Sequence, residues 1–147
     1  MKTRRSFTVI AMSLALITVT AADAPKPTDE SRRLPKVNLV KSEVIPTRLM
    51  GKSFMPGGTV GHYKKAKTEY DVFLAKLASP TAAASALVDW RKTMTAPKFV
   101  ASFGGYFGDD SGKPTFVFTK GAWVAGTRGL PQDQADLQAR VLAGQIQ

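Results

Sequence analysis

Thr115-Phe116-Val117-Phe118-Thr119-Lys120-Gly121-Ala122-Trp123-Val124-Ala125 is the stretch on which the fold turns. β-Branched and aromatic residues on both sides of a Lys-Gly pair spell two short strands joined by a tight turn. Upstream, Thr59 to Ala66 and Glu69 to Leu77 read as a second hairpin around Lys67-Thr68, and Tyr70 to Leu77 is its strongest strand. Between the hairpins, Ser79-Pro80 has the residues of a helix start, a serine cap and a proline at the first helical position. Ala83, Leu87, Trp90 and Met94 then recur at helical spacing on one face, and Ala96-Pro97 stops the run. Leu130-Pro131 opens a final helix with Asp133 in its first turn, where the helix dipole favours a carboxylate. Leu137, Val141, Leu142 and Ile146 are its expected apolar face. Hairpins alternating with helices predict an α+β fold, a small antiparallel sheet with the two helices packed on one face.

Outward from that core the signals thin. Val37, Leu39, Val40, Val44 and Ile45 suggest an edge strand closed by Pro46. Met50 to Gly61 is turn-rich around Pro56-Gly57-Gly58. Phe99 to Gly108 reads as a flexible aromatic and glycine-rich segment, followed by a turn at Asp109-Asp110-Ser111-Gly112.

The first residues fall into three zones. Lys2, Arg4 and Arg5 are basic, Phe7 to Val19 is apolar, and small residues follow at Ala21, Ala22 and Ala24. That order is the pattern of a cleavable secretory signal. The apolar run is shorter than the roughly 20 residues a membrane span needs. Arg4-Arg5 with Phe7 also resembles the twin-arginine export signal, although Val9 stands where that pattern has lysine, and the general secretory route is preferred. The expected organisation is a signal peptide at 1–24, a disordered leader at 25–36 rich in proline and charge, and a single domain at 37–147. The expected location is periplasmic or secreted, with no transmembrane segment after the signal.

Composition sets further bounds. Zero cysteines exclude disulfides, thiol nucleophiles and cysteine-based zinc sites. The formal net charge is +10, and residues 25–68 carry ten Lys or Arg against three Asp or Glu, a local +7. Residues 69–147 carry eight against seven and are close to neutral.

Two resemblances follow from residues already quoted. Ser79-Pro80-Thr81-Ala82-Ala83 and Val117-Phe118-Thr119-Lys120-Gly121-Ala122-Trp123-Val124 resemble, within 69–147, a group of exported bacterial domains of unknown function, which implies no activity. Residues 114–147, from Pro114-Thr115 through Gly129 to the last helix, resemble the end of a thioredoxin. That likeness implies a cis proline facing a redox pair, and with no cysteine the redox chemistry is excluded.

No constellation of catalytic residues stands out. His62 is the only histidine, and Glu69 or Asp71 across the hairpin are its candidate partners; a half-exposed strand residue is the preferred reading. Asp109-Asp110-Ser111-Gly112 lacks the alternating oxygens and distal glutamate of a calcium loop. Gly104-Gly105-Tyr106-Phe107-Gly108 lacks the Gly-Lys-Ser/Thr ending of a phosphate loop. Lys64, Lys65 and Lys67, with Arg48 and Lys52 upstream, form the one notable basic cluster and a candidate anion-binding site. Phe103, Tyr106, Phe107 and Trp123 are candidates for an aromatic pocket. The expectation is therefore a binding domain, not an enzyme, without metal or cofactor. Its expected partner is an anionic cell-envelope component or a protein. A small molecule in the aromatic pocket is the alternative, and nucleic acid is not expected, because no RNA- or DNA-binding motif accompanies the lysines.

Overall fold

The computed structural model describes residues 27–147; the signal peptide and twin-arginine readings lie outside the described residues. Two meanders make one open sheet. The first is β1 (Leu39–Thr47), β2 (Pro56–Lys65) and β3 (Thr68–Lys76). The helix α1 (Pro80–Thr93) then carries the chain to the far edge, where the second begins. It comprises β4 (Thr95–Val100), β5 (Gly105–Asp110), β6 (Lys113–Lys120) and β7 (Trp123–Arg128). β7 returns to pair antiparallel with β3, so the spatial order is β1-β2-β3-β7-β6-β5-β4. The helix α2 (Gln132–Gln145) ends the chain.

The alternation of side chains along the central strands shows where the helices lie. Tyr70, Val72 and Leu74 of β3, Phe116 and Phe118 of β6, and Trp123 and Ala125 of β7 pack with Ala135, Ala139, Leu142 and Ile146 around α2. The intervening Phe73, Ala75, Val117 and Val124 pack with Ala83, Ala86, Leu87, Trp90 and Met94 around α1. The helices therefore cover opposite faces. The expected small sheet with both helices on one face is wrong: the sheet has seven strands, and each face has its own helix. The reason lies in the sequence itself. Val72 to Ala75, Phe116 to Phe118 and Trp123 to Ala125 are unbroken apolar runs, the mark of strands buried on both faces.

Three other readings change. Phe99 to Gly108 is not a loose segment; it contributes the end of β4 and the start of β5. β2 runs through the glycine-rich stretch from Pro56. On α2, Leu137 and Val141 are exposed, and the buried stripe is Ala135, Ala139 and Leu142, with Ile146 just beyond. The segment expected as a disordered leader is anchored from residue 27. Ser31–Arg33 form a 3-10 turn, Leu34 is buried, Thr59 Oγ1 accepts a hydrogen bond from the Glu30 amide at 3.0 Å, and Arg33 Nη1 donates to the Gln145 carbonyl at 2.7 Å.

The local signals for α1 hold. Ser79 Oγ accepts from the Ala82 amide at 3.0 Å, with Pro80 at the first turn. Gly126 marks the tightest approach in the sheet, since a Cβ there would collide with the Phe116 carbonyl oxygen and press on the Phe73 ring. Both sheet edges carry guards against further strand pairing: Lys41, Pro46 and a register shift after Leu39 on β1, and Pro97, Lys98 and a register shift after Thr95 on β4.

Candidate functional site

The β2–β3 hairpin turns on Ala66 and Lys67, with Ala66 in the left-handed region at φ 53°. Lys64, Lys65 and Lys67 are all exposed there, but they do not make one patch. Lys65 continues the side of Tyr63 and points towards the α2 face, whereas Lys64 lies on the other side, opposite Glu69. Lys52 is not part of the cluster. Its Nζ lies 2.7 Å from Asp110 Oδ1 and 3.1 Å from Thr93 Oγ1, a nearly buried ion pair. Trp90 Nε1 donates to the second Asp110 oxygen at 3.0 Å. Asp110, expected to belong to a simple turn, is thus a buried polar tie under the end of α1.

Lys65 borders a hollow of about 290 Å³ between the hairpin tip and the first half of α2. Its polar lining is Asn38, Lys65, Thr68, Tyr70, Gln134 and Gln138. Leu130 and Leu137 give it an apolar side, and among the described residues no carboxylate lines it. Tyr70 stacks on Tyr63 with ring centroids 5.0 Å apart, and the Tyr63 hydroxyl donates to the Pro35 carbonyl at 2.7 Å. Burial pushes both phenols above the ordinary range; Tyr70's charge adds to the shift at Tyr63, and a contact from Asn38 partly offsets the shift at Tyr70. Both are therefore neutral hydrogen-bonding groups at neutral pH. The hollow offers several donors, one cation and a short apolar wall, near the lower end of the size range of small-ligand sites.

The candidate aromatic pocket does not form. Tyr106 and Phe107 are neighbours in β5 and point to opposite faces. Tyr106 packs on the α1 side between Phe99, at 5.5 Å, and the Arg91 guanidinium, at 5.3 Å. Phe103, Phe107 and Trp123 are on the α2 side. Phe103 is spent on Phe116 and Phe118 at 5.3 and 5.2 Å, and Trp123 lies under Arg33 at 5.0 Å. These rings are core and surface packing, not a shared cavity.

His62 has partners on both sides. Nδ1 lies 2.8 Å from Asp71 Oδ1 on β3, and Nε2 lies 2.7 Å from Glu43 Oε1 on β1. Asp71 was a candidate from the hairpin register; Glu43 was not, because its approach depends on β1 pairing with β2 across an irregular register. Both ring nitrogens are occupied, so the imidazole has no free position from which to take a substrate proton. Among the described residues, no group of three or more His, Asp or Glu is arranged to hold a metal ion, and no helix is long and apolar enough to cross a membrane.

No family model, curated protein or solved structure matches this chain. The peptide bond before Pro114 is trans.

Proposed function

We propose that this is an exported, non-enzymatic binding domain, and that it takes an anionic, hydrogen-bonding ligand in the hollow between the β2–β3 hairpin and α2. The ligand class is an acidic cell-envelope component, with one polar unit seated in the hollow and its negative group against Lys65. One observation carries the reading: among the described residues the only charged side chain lining the hollow is a lysine, beside five uncharged hydrogen-bonding residues. A carboxylated saccharide unit fits both the size and the donor set. Lys67, in the turn between two lining residues, extends the positive field along a polymer. The sequence-based small-molecule alternative moves from the aromatic cluster to this same hollow.

The test uses polygalacturonate as probe and neutral dextran as control. The side-chain amide signals of Gln134 and Gln138 should shift in NMR spectra with the acidic polymer and stay fixed with dextran. Lys65→Glu should weaken binding about tenfold or more, the order expected when attraction becomes repulsion near a protein surface. Raising salt above about 0.15 M, where the Debye length is about 8 Å, should also weaken it. If the glutamine signals do not move, or Lys65→Glu binds like the wild type, the hollow is not the site.

A further inference from the structure

The Glu43–His62–Asp71 arrangement lies on the α1 side of the first meander, away from the hollow, and suggests a role of its own. We propose that these three side chains form a pH-dependent latch, which holds the edge strand β1 against β2 and β3 below neutral pH and loosens it as the pH rises.

The argument begins with proton counting. An imidazole whose two nitrogens each face a carboxylate oxygen at 2.7–2.8 Å needs an N–H on both to make two hydrogen bonds. Only the imidazolium has two; the neutral ring has one donor and one lone pair. When the ring loses its proton, one carboxylate faces a lone pair and that contact becomes repulsive. Glu43 is the partner that leaves. Its side chain is 51% exposed and sits on the edge strand, whereas Asp71 is 30% exposed and lies between two paired strands.

β1 is the strand on which such a loss would tell. All of its residues except Leu39 and Ile45 are exposed, so little apolar burial fixes it. Its register with β2 shifts between Leu39 and Lys41, which leaves the ladder imperfect beside the latch. A bridge across three strands adds to a weak attachment here, whereas at β6 it would be redundant.

The surrounding charges are few and mixed. Lys41 of β1 stands opposite His62 in the register, and Lys64 follows two residues along β2. Glu69 and Asp71 come from β3, and Arg128 of β7 is paired with Asp71. The basic groups disfavour the imidazolium and the acidic groups favour it. Only Glu43 and Asp71 are in direct contact with the ring. Burial opposes the charge on His62, but hydrogen bonding and the charges of Glu43 and Asp71 outweigh it, so the residue titrates above its ordinary 6.5. The sign follows: a group whose folded value is raised contributes its full stabilisation below about pH 6.5 and loses it as the pH rises through the folded value.

Hydrogen exchange on the full chain tests the latch, independently of what the hollow binds. Protection factors of β1 and β6 amides are compared at about pH 5.5 and about pH 8.5, corrected for intrinsic chemical exchange. β1 protection should fall about twofold to fivefold relative to β6, the size of an exposed ion pair's contribution. His62→Gln should abolish the fall. Glu43→Gln, at a half-exposed position that folding tolerates, should flatten it and decides the matter if His62→Gln does not fold. A flat wild-type profile, or a fall of the same size in Glu43→Gln, overturns the latch. An NMR titration of His62 with a midpoint at or below 6.5 overturns it as well.

Discussion

The two faces of the sheet are finished to different standards. On the α1 face the buried carboxylate of Asp110 is matched on both oxygens by Lys52 and Trp90, and the Trp90 ring stacks on Phe73 at 5.0 Å. Each face keeps one buried polar atom without a partner among the described residues, Arg128 Nε on the α1 side and the Thr127 hydroxyl on the α2 side, but only the α2 side opens into the hollow beside the hairpin. The difference teaches where this fold packs tightly and where it leaves room. A buried carboxylate matched on both oxygens in a low-dielectric interior defines one packing and resists change. A face that opens into a hollow is not closed by packing in the same way.

The largest expected effect is at the centre of the finished face. Trp90 is fully buried, so Trp90→Ala removes a ring from the stack and leaves a cavity. A loss of about 3–5 kcal/mol is expected from large-to-small core replacement. Urea unfolding measures it, and a loss below about 1 kcal/mol would mean the α1 face repacks freely and the contrast fails. Next is Asp110→Ala, which leaves the Trp90 N–H without its acceptor and the Lys52 ammonium with Thr93 Oγ1 alone. A loss of about 2–3 kcal/mol is expected, because the penalty falls on the partners left behind. Lys52→Met together with Asp110→Ala should recover part of it, and no recovery would show that the carboxylate acts mainly through Trp90. The smallest effect is on the other face. Thr127→Val replaces an unpartnered hydroxyl by a methyl and should be neutral or stabilising by up to about 1 kcal/mol. A clear drop in melting temperature would reveal a hydrogen bond at Thr127.

Much of this architecture could be read from local chemistry, and its misreadings share one cause. The Ser79 cap, Pro80 and the stripe of Ala83, Leu87, Trp90 and Met94 are decided within a few residues of themselves, and they read correctly. The hairpins at Lys65–Thr68 and Lys120–Trp123 were legible for the same reason. What was lost depended on distant partners. The continuous apolar runs of β3, β6 and β7 are legible as strands, but which element covers each of their two faces depends on where the distant helices return. β4 and β5 were hidden because glycines and Pro97 weaken strand propensity; Gly105 is tolerated because it faces Val117 and Phe118 across the sheet. On α2 the large Leu137 and Val141 outweighed the small Ala135 and Ala139, yet close packing on the sheet selects the small residues. The candidate site was half legible: Lys65 was singled out by charge, while Asn38, Gln134 and Gln138 join it only through tertiary contact.

The seam between β3 and β7 carries a further consequence, for the order in which the molecule assembles. Lys76 and Trp123 are paired there although they are 47 positions apart, 123 minus 76. On a ribosome, β3 emerges with an edge that is apolar on both sides, and its permanent neighbour has not yet been synthesised. Closing so long a loop precedes any reward from the contacts, so the seam forms late and sets a slow folding rate. Until then the growing chain presents an open strand edge, a template for pairing with another copy. The guards on β1 and β4 protect the finished sheet, but they do nothing for this transient edge in its middle. The period of greatest aggregation risk therefore falls between the synthesis of α1 and that of β7.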